Sequence, residues 1–82
     1  MIARANARWM RDDPAISKVA ANIRRLREER DMSQVELARR AGVDLRTITR
    51  VEAVAREPGV ATLARIARGL GVAPAELWRD VE

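Results

Sequence analysis

Apolar residues fall at helical spacing in five stretches of this 82-residue chain, and each stretch is bounded by residues that start or stop helices. Ile16, Val19, Ala20, Ile23 and Leu26 recur in steps of three and four, which lines up one face of a helix. A first helix is therefore predicted from about Ile16–Ser17 to about Arg30. Leu37, Ala38 and Ala41 repeat the pattern over Ser33–Ala41. There Ser33 and Glu36 form an S-x-x-E capping box, whose hydroxyl and carboxylate are expected to satisfy each other's free backbone donors. Gly42 follows, where a helix exit favours a residue able to take a positive φ. Asp44 is a good N-cap for a helix over 44–53, with Ile48 and Val51 inward. Gly59 caps a fourth stretch from Val60 to about Gly69, with Leu63, Ile66, Ala67 and Leu70 on its buried face. Gly69 within that stretch costs up to about 1 kcal/mol against alanine, which predicts either an early fray or a close helix contact. Gly71 ends it, and Pro74 suits the first position of a last helix, 74–81, with Leu77 and Val81 inward.

The pattern thus predicts an all-α, compact five-helix domain over 15–82, with a helical N-terminal extension over 1–14. On a helix, Arg4, Arg8 and Arg11 share one face of that extension, while Ile2, Ala5 and Trp9 share the other. Asp12-Asp13-Pro14 ends it, because the proline pushes Asp13 out of the α region. Trp9 can dock on its own domain or on a partner subunit; alternatively the arginines form a basic arm along a DNA backbone. The apolar face favours docking, since an exposed indole is costly. No internal repeat or low-complexity linker interrupts the chain.

A capped helix, a glycine turn and a second capped helix make a helix-turn-helix arrangement. Small Ala38 lets the two helices cross closely. The run M-S-Q-V-E-L-A-R-R-A-G-V-D-L-R-T-I-T-R-V-E, residues 32–52, resembles the lambda-repressor/Cro-like (Xre) helix-turn-helix family. Met32, Ser33, Gln34, Leu37, Ala38, Gly42, Val43, Asp44, Ile48, Thr49, Val51 and Glu52 each stand in that family's slots. The likeness extends from about Ile16 to the C-terminus. It implies a salt bridge between Arg27 and Glu52, since relatives pair an arginine of the first helix with the glutamate ending the recognition helix. Arg27 continues the apolar stripe of its helix, which suits a charged residue only if it is paired. The chain departs from the family after Glu52, where relatives usually carry a glycine and this sequence has Val54. Ala53-Val54-Ala55 are compatible with helix, so the recognition helix is expected to run on toward Glu57-Pro58-Gly59.

With Ile48 and Val51 inward, Leu45, Arg46, Thr49 and Arg50 point outward and are the candidates for base contact. Each arginine can bond guanine O6 and N7 bidentately, or it can anchor a phosphate without reading sequence. Leu45 suits a thymine methyl, and Thr49 a base edge or a phosphate. Gln34, at a helix start, can bond a phosphate beside the free backbone N–H groups. Asp44 and Arg56 complete the phosphate set, Arg56 by family position. Arg39 and Arg40 are read as solvated surface. Trp78 has little local core to cover it, which points either to self-association or to packing against Trp9. Leu77, Trp78, Val81 and Trp9 are the dimer-interface candidates.

Charge and composition narrow the function. Sixteen Lys and Arg against twelve Asp and Glu give a net charge of +4, which suits a polyanionic partner. Cysteine and histidine are both absent, which removes thiolate chemistry, the usual general base and the usual zinc ligand. No metal site, cofactor or enzyme activity is expected. No apolar run approaches the roughly 20 residues that span a bilayer, and Met1-Ile2-Ala3-Arg4 lacks the apolar region of a secretory signal. The expected protein is a cytoplasmic, homodimeric transcriptional regulator that binds a double-stranded DNA operator, most simply a repressor or autoregulator. In size it resembles restriction–modification controller proteins and small phage repressors. The alternative is an antitoxin that binds DNA with the same domain and a toxin with its termini. A third possibility is an architectural domain with little preference among duplexes.

Overall fold

The computed structural model describes residues 13–81. They form four α-helices, α1 (Pro14–Glu29), α2 (Gln34–Ala41), α3 (Leu45–Glu52) and α4 (Val60–Leu70), followed by a 3-10 helix, η1 (Pro74–Trp78). The fifth helix expected over 74–81 is thus a single tight 3-10 stretch, and Asp80 beyond it takes a positive φ of 62°. The N-terminal extension, with Trp9, lies outside the described residues except for its last two positions.

Those two positions start α1 earlier than expected. Asp13 is extended (φ −68°, ψ 125°), its carboxylate accepts from the Ala15 N–H at 2.8 Å, and Pro14 occupies the first helical position. The proline that excludes Asp13 from the α region also places it at the N-cap, so one constraint both ends the preceding stretch and begins the helix.

The core draws one fully buried side chain from every element: Ile23 of α1, Leu37 of α2, Ile48 of α3, Ile66 of α4 and Leu77 of η1. Val19, Leu26, Met32, Val51, Ala67 and Leu70 fill in around them. Leu77, expected as a dimer-interface candidate, has no exposed surface and belongs to this core instead. Val81 is partly buried against it. Asn22 of α1 is buried and donates from Nδ2 to the carbonyls of Leu77 and Arg79, at 2.9 Å each, which ties η1 to the first helix. Among the described residues no buried side-chain polar atom lacks a partner. No helix there is long and apolar enough to cross a membrane.

All four α-helices end the same way. A residue in the left-handed region bonds back three positions, and the next N–H bonds back five, the two bonds of a Schellman exit. The left-handed residues are Asp31 (φ 53°), Gly42 (71°), Val54 (58°) and Gly71 (75°). The five-back bonds run from Met32 to Arg27, Val43 to Ala38, Ala55 to Arg50 and Val72 to Ala67, at 2.8–3.1 Å. α3 therefore stops at Glu52 and does not continue through Ala53–Ala55 as expected. Val54 takes the conformation that relatives give to glycine, although its branched Cβ opposes it.

α2 packs more extensively on α4 than any other pair of elements in contact. The contact is close because Gly69 has no side chain: a Cβ there would lie 2.9 Å from the Ala41 nitrogen and 3.1 Å from its Cα. Gly69 is thus a packing residue, the second of the two outcomes its place in the helix allowed. Two substitutions should move stability against helix propensity. Gly69→Ala should lower it by about 1 kcal/mol or more, because overpacking outweighs the propensity gain. Val54→Gly should raise it by about 1 kcal/mol, since the left-handed region costs a branched residue more than a glycine loses in chain entropy. Thermal unfolding followed by circular dichroism checks both, with shifts of about 4–8 °C per kcal/mol; a rise for the first or a fall for the second would contradict these assignments.

Candidate nucleic-acid interface

α2 and α3 are held by their caps and by one buried carboxylate. Ser33 is extended, and its hydroxyl accepts from the Glu36 N–H at 3.0 Å. The return half of the capping box is missing. Glu36 instead accepts from Arg39 at 2.6 Å and from Arg40 at 2.8 Å, one turn further along the helix. Those two bonds hold its carboxyl below the ordinary range. They also pair the two exposed arginines with an acidic neighbour on their own helix. Gly42 turns the chain, and Asp44 takes the extended N-cap conformation, but its carboxylate makes no capping bond.

α3 then presents two contrasting faces. Ile48, Val51 and Glu52 are buried, while Leu45 is 43% exposed and Arg46 and Arg50 are exposed. Thr49 is half-buried, and its hydroxyl donates to the Arg46 carbonyl at 3.0 Å. Among the described residues no carboxylate lies within 4.0 Å of Arg46, Arg50 or Arg56. The pattern differs on α1 and α2, where Arg24, Arg25, Arg27, Arg30, Arg39 and Arg40 all have acidic neighbours. Those six arginines are paired, whereas Arg46, Arg50 and Arg56 share with Lys18 of α1 and Arg65 and Arg68 of α4 the lack of a carboxylate within 4.0 Å among the described residues.

Glu52, at the end of α3, faces back into the domain with 1% of its side chain exposed. Arg27 grips it bidentately, Nε to Oε2 at 2.7 Å and Nη2 to Oε1 at 3.0 Å, and gives its remaining Nη1 to the Met32 carbonyl at 2.8 Å. Gln34 Nε2 donates to Oε1 at 2.9 Å, so the amide expected to face a phosphate has one N–H directed at Glu52. Arg24 Nε lies 3.6 Å from the same oxygen, with its side chain 57% exposed. Burial pushes the Glu52 carboxyl up, but the bonds from Arg27 and Gln34 and the charges of Arg27 and Arg24 outweigh it, leaving the carboxyl below the ordinary range. The bond to Glu52 raises the Arg27 pKa, against a smaller effect of its own burial.

Sequence reasoning left Arg24 and the Gln34–Glu52 bond unassigned. Arg24 stands three residues before Arg27, hence on nearly the same face of α1, and that spacing was the available signal. Away from this region, a groove of about 240 Å³ opens between the start of α1 and η1. Ile16, Val19, Val51 and Leu63 line it, with Trp78 beside them, 49% exposed.

A short capped helix, a glycine turn, and a second helix anchored by its inner face and bare on its outer one define a helix-turn-helix domain. Residues 23–77 match the helix-turn-helix family HTH_3, and the chain belongs to that family. The lambda-repressor/Cro-like resemblance of residues 32–52 agrees with this. The chain is 37% identical over 59 residues to the uncharacterized HTH-type transcriptional regulator y4dJ of Sinorhizobium fredii, a match covering 72% of this chain and 77% of that one. Similar solved structures include the restriction-modification controller protein C.Esp1396I, with a TM-score of 0.75 at 29% identity over 79% of this chain and 84% of that one. The controller protein C.AhdI from Aeromonas hydrophila gives 0.73 at 29% identity, over 76% and 94% respectively. The hypothetical transcription factor NHTF from Neisseria gives 0.76 at 31% identity, over 83% and 77%.

Removing one partner of a buried, hydrogen-bonded pair leaves the other charge uncompensated. Glu52→Ala should therefore cost about 3–5 kcal/mol at neutral pH, measured by urea unfolding. Because the folded carboxyl titrates below its ordinary value of 4.5, its contribution is complete above that value. It is lost as pH falls through the lowered folded one. The gap between wild type and variant should narrow below about pH 4.5; a gap independent of pH would show that the charge of Glu52 is not what stabilises the junction.

Proposed function

We propose that this protein is a sequence-specific DNA-binding transcriptional regulator that reads the major groove with the outer face of α3 and works as a homodimer. The observation that carries the reading is the exposure of Leu45, Arg46 and Arg50 together, without acidic neighbours, on a helix fixed to the body by Ile48, Val51 and Glu52. An α-helix of this kind fits the major groove, where arginine bonds guanine bidentately and a leucine meets the thymine methyl. The Thr49 hydroxyl proton is already committed to the backbone. Its oxygen is therefore an acceptor, suited to the amino group of adenine or cytosine. Gln34, Arg56 and the backbone N–H groups beside Asp44 at the start of α3 are assigned to phosphates. The carboxylate of Asp44 itself has no place in such a contact, because it would repel a phosphate.

Helix-turn-helix dimers place two reading helices in successive major grooves, with half-sites about 10–10.5 bp apart. Trp78, half-exposed beside the apolar groove, is the residue assigned to the subunit contact; the partly buried Val81 stands nearby in sequence, and Trp9 lies outside the described residues. Likeness to the controller proteins favours an autoregulatory role acting at the protein's own promoter, by occlusion.

Selection of bound duplexes from a random pool at stated salt tests the assignment. The recovered sites should share a two-fold pattern, bound at least about 10³-fold more tightly than random duplex. Arg50→Ala should relax preference at one position per half-site at a cost of about 1–3 kcal/mol; an equal loss on every duplex would make it a phosphate contact. Trp78→Ala should shift the protein toward monomer in sedimentation at micromolar concentration, and an unaltered dimer would remove Trp78 from the interface.

A further inference from the structure

We propose that Glu52 is a positioning residue for DNA-backbone binding, and that Arg24 joins Gln34 in contacting the phosphate. The inference rests on the phosphate role given to Gln34 above. An amide side chain can present either its carbonyl or its NH₂ group to a neighbour, but only the NH₂ group can face a carboxylate. The Nε2–Oε1 bond of 2.9 Å to Glu52 therefore fixes which way the Gln34 amide is turned. One N–H points at Glu52. The second, held in the amide plane, has no acceptor among the described residues.

Without Glu52 the amide is free to turn its carbonyl outward, which a phosphate would repel. The same Oε1 has Arg24 at 3.6 Å, so the carboxylate draws a second donor group to the side of Gln34. At that distance Arg24 makes no hydrogen bond to Glu52, and its side chain remains 57% exposed, leaving its N–H groups for another oxygen. The charges permit an anion here. Arg27 faces Glu52, with Glu28 at the limit of ion-pair distance behind it, 4.0 Å away and largely solvated. Arg24, outside the bidentate Arg27–Glu52 pair, brings a second guanidinium to the side of that carboxylate. Bonds from a guanidinium and an amide to one phosphate are charge-assisted and need both donors already in place.

The test uses the full chain and a short mixed-sequence duplex over a range of salt concentrations. Gln34→Ala and Arg24→Ala should each weaken binding about tenfold. Arg24→Ala, which removes a charge, should also reduce the slope of log K against log[salt] by about 0.9, the value for one neutralised phosphate, while Gln34→Ala, which removes a neutral donor, should leave the slope nearly unchanged. Glu52→Asp keeps the charge but draws it back by one methylene. It should lose as much affinity as Gln34→Ala, and combined with Gln34→Ala it should lose little more. If Gln34→Ala leaves affinity for the mixed-sequence duplex unchanged, the phosphate reading of Gln34 itself fails; if Arg24→Ala leaves the salt slope unchanged, Arg24 is not at the phosphate. If both single variants weaken binding but the Glu52→Asp loss adds in full to that of Gln34→Ala, the phosphate reading stands and the positioning role falls. A measurement on the wild type guards against unfolding of the variant. In nitrogen-edited NMR spectra the two Gln34 side-chain protons should respond unequally to duplex, only the one turned from Glu52 shifting strongly; equal shifts would overturn the proposal.

Discussion

A buried carboxylate at the end of α3 fixes how that helix sits on the domain. Glu52 belongs to α3, but its partners belong to α1 and α2, so three helices meet at two oxygen atoms. Apolar packing alone would hold α3 to the body through Ile48 and Val51, yet such packing tolerates a helix that slides or rolls slightly. A bidentate guanidinium bond does not, because both of its distances lengthen if the helix rotates. The role of the Arg27–Glu52 pair is thus to set the angle of α3 rather than to supply net stability, since an apolar pair of similar size would hold as well. The orientation of Leu45, Arg46 and Arg50 toward solvent follows from that angle.

The distribution of charge follows the same division. The arginines of α1 and α2 have glutamates beside them, from their own turns or, for Arg24 and Arg27, from α3. Those on α3 and in the loop after it have no such neighbours among the described residues. Under the proposed reading, the unpaired arginines of α3 and its loop would add to the attraction of that face for an anionic duplex. The close approach of α2 and α4 at Gly69 supports that face from behind, because Ala41 could not sit there if a side chain intervened.

Much of this was legible in the chain because the signals were local. The apolar stripes located four helices, Ser33 and Gly42 marked the ends of α2, and the outward set on α3 followed from Ile48 and Val51 alone. What was missed depended on distant neighbours or on competition between partners. Glu36 suits a capping box by spacing, but two arginines one turn along offer it stronger, charged bonds. Val54 reads as helix by propensity, but its positive φ and the bond from Ala55 to Arg50 show that the backbone turns there as if a glycine were present. Pro74 announces a helix, yet Asn22, far away in sequence, holds the carbonyls of Leu77 and Arg79 from the side as the segment ends in a 3-10 turn. Leu77 was correctly placed inward but was also offered as an interface residue, two roles that a side chain with no exposed surface cannot both fill.

The most direct measurement of the central claim is methylation footprinting of a duplex recovered by selection, with the wild-type protein bound. Dimethyl sulfate reaches guanine N7 in the major groove and adenine N3 in the minor groove, so it reports which groove is occupied. If the bare face of α3 lies in the major groove, guanine N7 positions should be protected in two clusters about one helical turn apart, with adenine N3 between them still reactive. Protection confined to adenine N3, or no protection on a duplex that is demonstrably bound, would contradict the account.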